Sequence, residues 1–204
     1  MKDETNKKYW DKTAKLYTGF MSKNDTAYDL LCDKISESLN KNQKVLELAC
    51  GTGQLTFRLS EKAKSWIATD YSEAMVDETK KNGSNTSIVF EQADATALQY
   101  DDNFFDVVII ANALHIMPDP SKALKEIRRV LKKDGILVAP TFVFEKGYKK
   151  VKLWAMKLTG FKIFHEWTNE SFSNFVSEHG YEIISADTYS GNPLYECLLV
   201  AKNS

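Results

Sequence analysis

The chain has 204 residues, 43% of them hydrophobic and 27% charged, which is the composition of an ordinary globular protein with room for one domain and its core. Its 27 basic and 28 acidic residues give a net charge of −1, which argues against a nucleic-acid binder that relies on bulk electrostatics. A polar N-terminus without a signal region, the lack of any apolar stretch of the roughly 20 residues that a membrane span needs, and three cysteines without zinc spacing (Cys32, Cys50 and Cys197) predict a cytoplasmic protein without a metal site.

Helices and strands alternate along most of the chain. Two helices are predicted to open it, over residues 5–17 and 26–39, because apolar side chains recur there at helical spacing. Short apolar runs then predict five strands, at residues 45–49, 66–70, 87–91, 107–111 and 136–144. Helices are predicted between them, at residues 54–64, 73–81 and 121–131. This alternation favours a parallel sheet that is covered by helices on both faces.

The pattern changes after residue 144. The segment 146–167 is rich in lysine and aromatic residues, and its apolar residues recur at helical spacing. Three interpretations stay open for it: a lid over a substrate, a basic amphipathic helix on an anionic membrane, or an ordinary solvated helix. A helix at 169–179 and two strands at 181–189 and 194–202 follow, and the short link at 191–193 predicts a hairpin.

The most informative motif is the run VLELACGTG at residues 45–53. It predicts a buried strand that enters a Gly-x-Gly turn at Gly51 and Gly53, with a helix after it. Glycine lets the backbone approach a ligand closely, and the N-terminus of the following helix offers free N–H groups. Asp70 ends the next predicted strand, where its carboxylate can accept hydrogen bonds from ribose hydroxyls. The sequence therefore predicts a nucleoside-binding site between positions 51 and 70.

Details around the turn separate two families of nucleoside cofactor. A dinucleotide fingerprint would need glycine or alanine where Thr56 stands, whereas here an acid, Glu47, precedes the turn. The run instead resembles the E/D-x-G-x-G-x-G motif of the class I S-adenosylmethionine-dependent methyltransferases, of the type-11 or ubiquinone-biosynthesis-like group. Ala49 departs from that motif, because it stands where the first glycine is usual. The resemblance covers about residues 44–142, with further similar segments at 70–72, 92–95, 105–115 and 131–137.

This resemblance implies a single-domain, doubly wound α/β fold. Its seven strands would follow the order 3-2-1-4-5-7-6, with the last strand antiparallel and helices on both faces. The parts of the chain would be an N-terminal helical cap at 1–42, a cofactor-binding core at 43–144, a lid insertion at 145–168, and a C-terminal helix and hairpin at 169–204.

The resemblance also implies roles for individual residues at the cofactor site. Backbone groups of Ala49, Gly51 and Gly53 would line the amino-acid end of S-adenosylmethionine. Glu47 would pin the loop or contact the ammonium group of this methyl donor; alternatively, it is a buried charge that backbone N–H groups satisfy.

The adenine and the sulfonium would be covered by side chains from several segments. Tyr71 and Met75 would sandwich the adenine, unless they belong to the core. Asp94 would accept from the adenine amino group, with the N–H of Ala95 nearby, or it would cap the short helix that follows. The opening helix would fold over the donor and bring Tyr17 near the sulfonium, or it would pack on the edge of the sheet.

Asn112 and His115 follow the fourth strand, where an open sheet places its ligand crevice. The backbone at Ala111 or Asn112 would receive the ammonium group of the donor. His115 would accept a proton from the substrate, because its ordinary pKa lies near neutrality, or it would be a packing residue beneath the donor. The segment reads NALH rather than the N-P-P-Y or D-P-P-Y of the adenine- and glutamine-directed members, which disfavours those acceptors.

We therefore expect transfer of a methyl group from S-adenosylmethionine to a small-molecule acceptor by in-line displacement, with S-adenosylhomocysteine as the product. The methylated atom can be oxygen, nitrogen, sulfur or carbon. The alternatives are a donor-binding protein of methyltransferase type without catalysis and a nicotinamide-dependent oxidoreductase. A protein or RNA methyltransferase is disfavoured because the chain has neither an appended recognition domain nor a basic excess.

Overall fold

A seven-stranded sheet forms the centre of the fold. The computed structural model describes residues 4–21, 25–83, 87–144, 162–189 and 195–204, without the side chains of 4, 5, 16–21 and 25–27. The strands are β1 (Lys44–Leu48), β2 (Ser65–Asp70), β3 (Ile88–Gln92), β4 (Phe105–Ile110), β5 (Leu131–Val143), β6 (Tyr181–Tyr189) and β7 (Tyr195–Asn203). The order across the sheet is β3-β2-β1-β4-β5-β7-β6, and β7 runs antiparallel to both of its neighbours, which confirms the predicted order and the reversed final strand.

Helices cover both faces of this sheet. They are α1 (Glu4–Met21), α2 (Asp25–Ser36), α3 (Thr56–Leu59), α4 (Glu73–Asn82), α5 (Pro120–Val130) and α6 (Asn169–Glu178), with short 3-10 helices at Ser60–Lys62 and Leu114–Ile116. One apolar core cluster joins α5 and α6 to one face of the sheet, and a second joins α2 and α3 to the other face. Side chains alternate between the faces along a strand, so Leu46 and Leu48 of β1 belong to the first cluster and Val45 to the second.

The helix after β1 is shorter than the sequence pattern indicates. The pattern predicts a helix over 54–64, whereas α3 spans Thr56–Leu59 and is followed by one 3-10 turn. Gly53 has a φ of 87°, which a right-handed helix cannot contain. The glycine turn therefore extends to residue 55 before the helix can begin.

Strand β5 begins earlier than predicted, at Leu131 rather than at residue 136. Phe105 of β4 pairs with Leu131 and Val107 pairs with Ile136, so the β5 side contains extra residues. They form a bulge, in which Asp134 adopts a φ of 63°. Residues 132–135 are thus an irregularity within one long strand.

Several expectations concern residues outside the described part of the chain. The segment 145–168 is described only over 162–168, which contains no helix. The hairpin link at 191–193 and the side chain of Tyr17 lie outside the description as well. Among the helices that the structure describes, none combines the length and the apolar character required to cross a membrane.

Candidate active site

The glycine turn follows β1 at the carboxyl edge of the sheet. Its backbone is left-handed at Ala49, Gly51 and Gly53, with φ values of 55°, 57° and 87°. The hydroxyl of Thr79 on α4 donates to the carbonyl of Gly51 at 2.6 Å. The turn is therefore fixed against α4, in the place that the sequence motif predicts.

Asp70 joins this turn to the loop after β2. Its Oδ2 accepts from the N–H of Gly51 at 2.9 Å, and its Oδ1 accepts from the N–H of Ser72 at 2.8 Å. Burial raises the pKa of Asp70 to about 6, although these backbone hydrogen bonds act to lower it. Each carboxylate oxygen can accept more than one hydrogen bond, so capacity is left for a ribose hydroxyl.

Glu47 is almost completely buried, with 1% of its surface exposed. Its Oε2 accepts from the hydroxyl of Thr56 at 2.6 Å and from the indole N–H of Trp66 at 2.8 Å. Burial raises the pKa of Glu47 to about 7 despite these two hydrogen bonds. The carboxyl thus ties β1 to α3 and β2, and it is satisfied by side chains rather than by backbone N–H groups.

This buried acid predicts a pH-dependent stability. The pKa of about 7 in the folded protein lies above the ordinary value of 4.5, so the folded state binds this proton more tightly than the unfolded chain. The stabilising contribution is complete below the unfolded-state pKa, and the free energy of unfolding falls as pH rises from about 4.5 to about 7. Glu47→Gln keeps an oxygen acceptor for Thr56 and Trp66 and should flatten this fall. Urea unfolding of both proteins at pH 5 and pH 8 gives the fall in the free energy of unfolding between these pH values. An equal fall in the wild type and in Glu47→Gln would contradict the prediction.

Gly53 is required by the packing of the turn. A Cβ at this position would lie 2.4 Å from Cε2 of Phe57 and 2.8 Å from Cγ2 of Thr79. The same ring fills the space beside Gly83, where a Cβ would lie 2.2 Å from Cε1 of Phe57. The close approach that glycine permits here is to a side chain of the protein itself, and the contact of Gly53 with the donor stays a prediction.

Ala49 carries backbone strain, because it has a φ of 55° without being glycine. The left-handed region costs a residue with a Cβ about 1–2 kcal/mol. Ala49→Gly is therefore expected to raise the free energy of unfolding by about 1 kcal/mol. Ala63→Gly is the matched control, because Ala63 has a φ of −116°, gains nothing from glycine and should lose stability. Urea unfolding compares the two variants, and a loss of stability in both would rule out strain at Ala49.

The residues predicted around the adenine lie on the loops after β2 and β3 and on α4. Met75 and Ala95 are buried, with 2% and 8% of their surfaces exposed, whereas Tyr71 is partly exposed. Asp94 accepts from the N–H of Thr96 at 2.8 Å and from its hydroxyl at 2.7 Å. Met75 and Ala95 therefore pack as core residues, Asp94 stabilises its own turn, and their contacts with adenine stay predictions.

Three buried side-chain atoms have no hydrogen-bond partner within the described part of the chain: Oγ1 of Thr52, Oδ1 of Asn112 and Nε2 of His165. A buried polar atom without a partner costs about 1–3 kcal/mol. Thr52 stands between Gly51 and Gly53, and Asn112 follows the neighbouring strand β4. The unused hydroxyl of Thr52, which lies within the glycine turn, fits a polar, nucleoside-bearing cofactor.

His115 is buried, with 1% of its surface exposed. Burial, and after it the nearby His165, lower its pKa to about 3. Its Nδ1 lies 3.4 Å from the hydroxyl of Thr141, and its ring stands edge-on to Phe142 at a centroid distance of 5.6 Å. A group with so low a pKa is a weak base at neutral pH, so the geometry favours the packing alternative over the predicted base.

Helix α1 spans the carboxyl edge of the sheet. Nδ2 of Asn6 donates to the carbonyls of Ile116 at 2.9 Å and of Lys162 at 3.1 Å. The hydroxyl of Ser72 donates to Oδ1 of Asp11 at 2.6 Å. The helix is thus bonded to the loop after β2 and to the loop after β4, and its role as a cover over the donor stays a prediction.

Sequence reasoning missed Asn6, Thr52 and Glu196. The partners of Asn6 lie 110 and 156 residues away, and no local pattern carries such contacts. Thr52 occupies the variable position of the glycine motif, so the motif gives no reason to select it. Glu196 did leave a signal, because it is an acid inside the otherwise apolar run of the last strand.

Comparison with known proteins agrees with this geometry. A sequence model of the family described as a methyltransferase domain matches residues 46–139. The chain is 38% identical over 158 residues to the demethylmenaquinone methyltransferase of Staphylococcus carnosus, in an alignment that covers 69% of this chain and 64% of that protein. The chain therefore spans slightly less than two thirds of the length of this relative.

The fold is shared with solved structures at lower identity, which shows similarity of fold alone. A methyltransferase in complex with the Haloferax volcanii Trm112 activator superposes with a TM-score of 0.80, covering 95% of this chain and 97% of that chain at 16% identity. The [4+2]-cyclase SpnF superposes with a TM-score of 0.71, covering 85% and 80% of the two chains at 22% identity. The fold agrees with the family that the matched domain and the relative show: the chain belongs to the class I S-adenosylmethionine-dependent methyltransferases, with S-adenosylmethionine as the cofactor of the family.

Proposed function

We propose that this protein transfers a methyl group from S-adenosylmethionine to a small-molecule acceptor of the quinone type by in-line displacement. One contact carries the donor half of the proposal: the hydrogen bond from Gly51 to Asp70 at 2.9 Å, which joins the glycine turn to the acid that would bind the ribose. The acceptor half rests on the 38% identity to demethylmenaquinone methyltransferase.

Polar groups at the carboxyl edge would hold the donor. Asp70 would accept from the ribose hydroxyls with the lone pairs that Gly51 and Ser72 do not use. The hydroxyl of Thr52, which has no partner among the described residues, would bond to the amino-acid end. The bound cofactor supplies a methyl group on a positively charged sulfur. The chain orients that group towards the acceptor, and helix α1 excludes water from the crevice.

The chemistry of a quinone-type acceptor indicates its reactive form. A quinone ring is electron-poor, whereas the reduced quinol is electron-rich at its ring carbons and can attack an electrophilic methyl group. We therefore propose the quinol as the acceptor. The proton that leaves would pass to solvent rather than to His115, because burial holds the pKa of this histidine at about 3.

A small molecule is favoured over a nucleic acid as the acceptor. The 27 basic and 28 acidic residues leave no positive excess to neutralise phosphates. Membrane contact through the basic segment 146–167 stays the less favoured prediction. Residues 145–161 lie outside the described part of the chain.

A second candidate function is binding of S-adenosylmethionine without methyl transfer. The low pKa of His115, about 3, favours it, because it weakens the residue that was expected to accept the substrate proton. The [4+2]-cyclase SpnF shares the fold with a TM-score of 0.71, so the fold alone does not determine the reaction. This candidate predicts donor binding without turnover.

Two measurements test the proposal and its alternatives. Calorimetric titration with S-adenosylmethionine and, separately, with NADH and NADPH should show binding of the methyl donor alone. Incubation with S-adenosylmethionine and demethylmenaquinone should release S-adenosylhomocysteine when the quinone is chemically reduced, and not when it stays oxidised. Donor binding without release of product would support the second candidate. A folded protein that does not bind the donor would exclude both.

A further inference from the structure

Asn112 is held from the side of β5 and β7. Its backbone N–H donates to the carbonyl of Pro140 on β5 at 2.8 Å, and its Nδ2 donates to Oε1 of Glu196 on β7 at 2.8 Å. Glu196 pairs with Phe142, one residue before the carboxyl end of β5 at Val143. The two side chains therefore meet at the same edge of the sheet as the glycine turn, but on the opposite side of β4 from it.

The bond to Glu196 determines which way the amide of Asn112 faces. The oxygens of a carboxylate accept hydrogen bonds and do not donate them. The NH2 group of Asn112 therefore faces Glu196, and Oδ1 points away from it. The backbone of Asn112 is fixed as well, with a φ of 53°. Glu196 is partly buried, and this burial raises the pKa of its carboxyl, while the bond from Asn112 opposes the rise.

Oδ1 of Asn112 is left buried and without a partner among the described residues. An atom that can only accept a hydrogen bond selects a ligand group that donates one, such as a hydroxyl. A carbonyl or ether oxygen in the same place would leave Oδ1 unpaired, which costs about 1–3 kcal/mol.

A second unpartnered atom lies on the same side of β4. The N–H of His165 donates to the carbonyl of His115 at 3.1 Å, and the N–H of Phe144 donates to the carbonyl of Trp167 at 2.8 Å. The segment 162–168 thus joins the loop after β4 to the end of β5. Nε2 of His165 is buried there without a partner in the described ranges. Two polar atoms on the β5 side therefore have no partner among the described residues, and both lie on the other side of β4 from the residues of β1 and β2 that are expected to bind the donor.

We propose that Glu196 is a positioning residue that orients Asn112, so that Oδ1 of Asn112 binds a free hydroxyl group of the methyl acceptor. This inference rests on the proposed function and specifies the acceptor as a ring that carries a hydroxyl. The two residues determine specificity and make or break no covalent bond.

The inference is tested with two probes, one with a free hydroxyl and one in which the same oxygen is methylated and cannot donate a hydrogen bond. Binding of 1-naphthol and of 1-methoxynaphthalene is measured by calorimetry in the presence of S-adenosylhomocysteine. The wild type should prefer 1-naphthol by about tenfold, the value of one net hydrogen bond. Asn112→Gly, which tolerates the left-handed backbone, should lose the preference. Glu196→Gln should reduce it several-fold, because a glutamine amide can pair with either end of Asn112. The donor contact expected at position 112 is made by the backbone, which both variants keep, so the affinity for S-adenosylhomocysteine should stay unchanged in both.

Asn103→Gly is the matched control, because Asn103 is also left-handed, with a φ of 57°, and is exposed before the start of β4. It should keep the full preference. Equal binding of the two probes by the wild type, binding of neither, or an unchanged preference in Asn112→Gly would overturn the inference. Should Asn112→Gly fail to fold, Glu196→Gln carries the same test. Weaker binding of S-adenosylhomocysteine in place of the lost preference would assign Oδ1 to the donor and overturn the inference too.

The outcome can be separated from that of the proposed function. Methyl transfer to the reduced quinone by a wild type without any hydroxyl preference would keep the proposed function and reject the role of Asn112. A hydroxyl preference that depends on Asn112 and Glu196, without methyl transfer to the quinol, would support the hydroxyl site and reject the proposed reaction.

Discussion

Replacing Asp70 by asparagine is expected to weaken the binding of S-adenosylmethionine about tenfold to a hundredfold, because a hydrogen bond to a charged group contributes about 1.5–3 kcal/mol. The variant also disturbs the turn. The carboxylate accepts from the N–H groups of Gly51 and Ser72 with different oxygens. An amide has one oxygen, so one of these N–H groups would face an NH2 group instead. Calorimetric titration of the folded variant measures the loss of affinity.

Asp134→Asn is the matched control for this experiment. Asp134 lies in the bulge of β5 at the opposite edge of the sheet and pairs with Lys202 at 2.8 Å. Its φ of 63° suits asparagine, which enters the left-handed region readily. Donor affinity should be unchanged in this variant. If Asp70→Asn unfolds at the wild-type temperature and binds the donor with full affinity, Asp70 does not bind the ribose.

The central part of the fold follows from hydrophobic pattern alone. Residues 107–110 of β4 have 0% of their surfaces exposed, and a strand buried on both faces must be a continuous apolar run. The parallel strands then follow from the alternation of strands and helices. The boundaries of α3 and β5 could not be predicted in this way. They depend on the left-handed residues Gly53 and Asp134, whose conformation is set by turn packing rather than by periodicity.

At the site, the sequence predicts the positions of those residues that directly follow the ends of strands. Leu48 of β1 pairs in register with Thr69 of β2, so Gly51 and Asp70, which follow closely, must lie near each other. Asn6 could not be found, since its bonds depend on how distant loops converge. The ordinary pKa of histidine, near neutrality, is the reason to expect His115 as a base. Burial lowers this pKa to about 3, and no local sequence pattern shows that burial.

Gly53→Ala is expected to destabilise the protein by about 2–6 kcal/mol, because backbone strain costs about 1–3 kcal/mol and overpacking costs about as much again. The φ of 87° provides the strain. The overpacking arises because the new Cβ would lie 2.4 Å from the ring of Phe57. That ring cannot retreat, because the backbone of Gly83 lies on its other side. Urea unfolding measures the loss.

Gly180→Ala separates the two causes. Gly180 has nearly the same φ, 86° against 87°, but a Cβ there would meet the guanidinium of Arg128 at 2.6 Å, the end of a flexible side chain that can move. It should therefore carry the backbone cost alone, about 1–3 kcal/mol. Adding Phe57→Ala to Gly53→Ala should recover part of the loss, because the two positions are in contact and their effects are not additive. Equal losses in the two glycine variants, with no recovery in the double variant, would mean that position 53 requires glycine for its backbone conformation and not for the ring of Phe57.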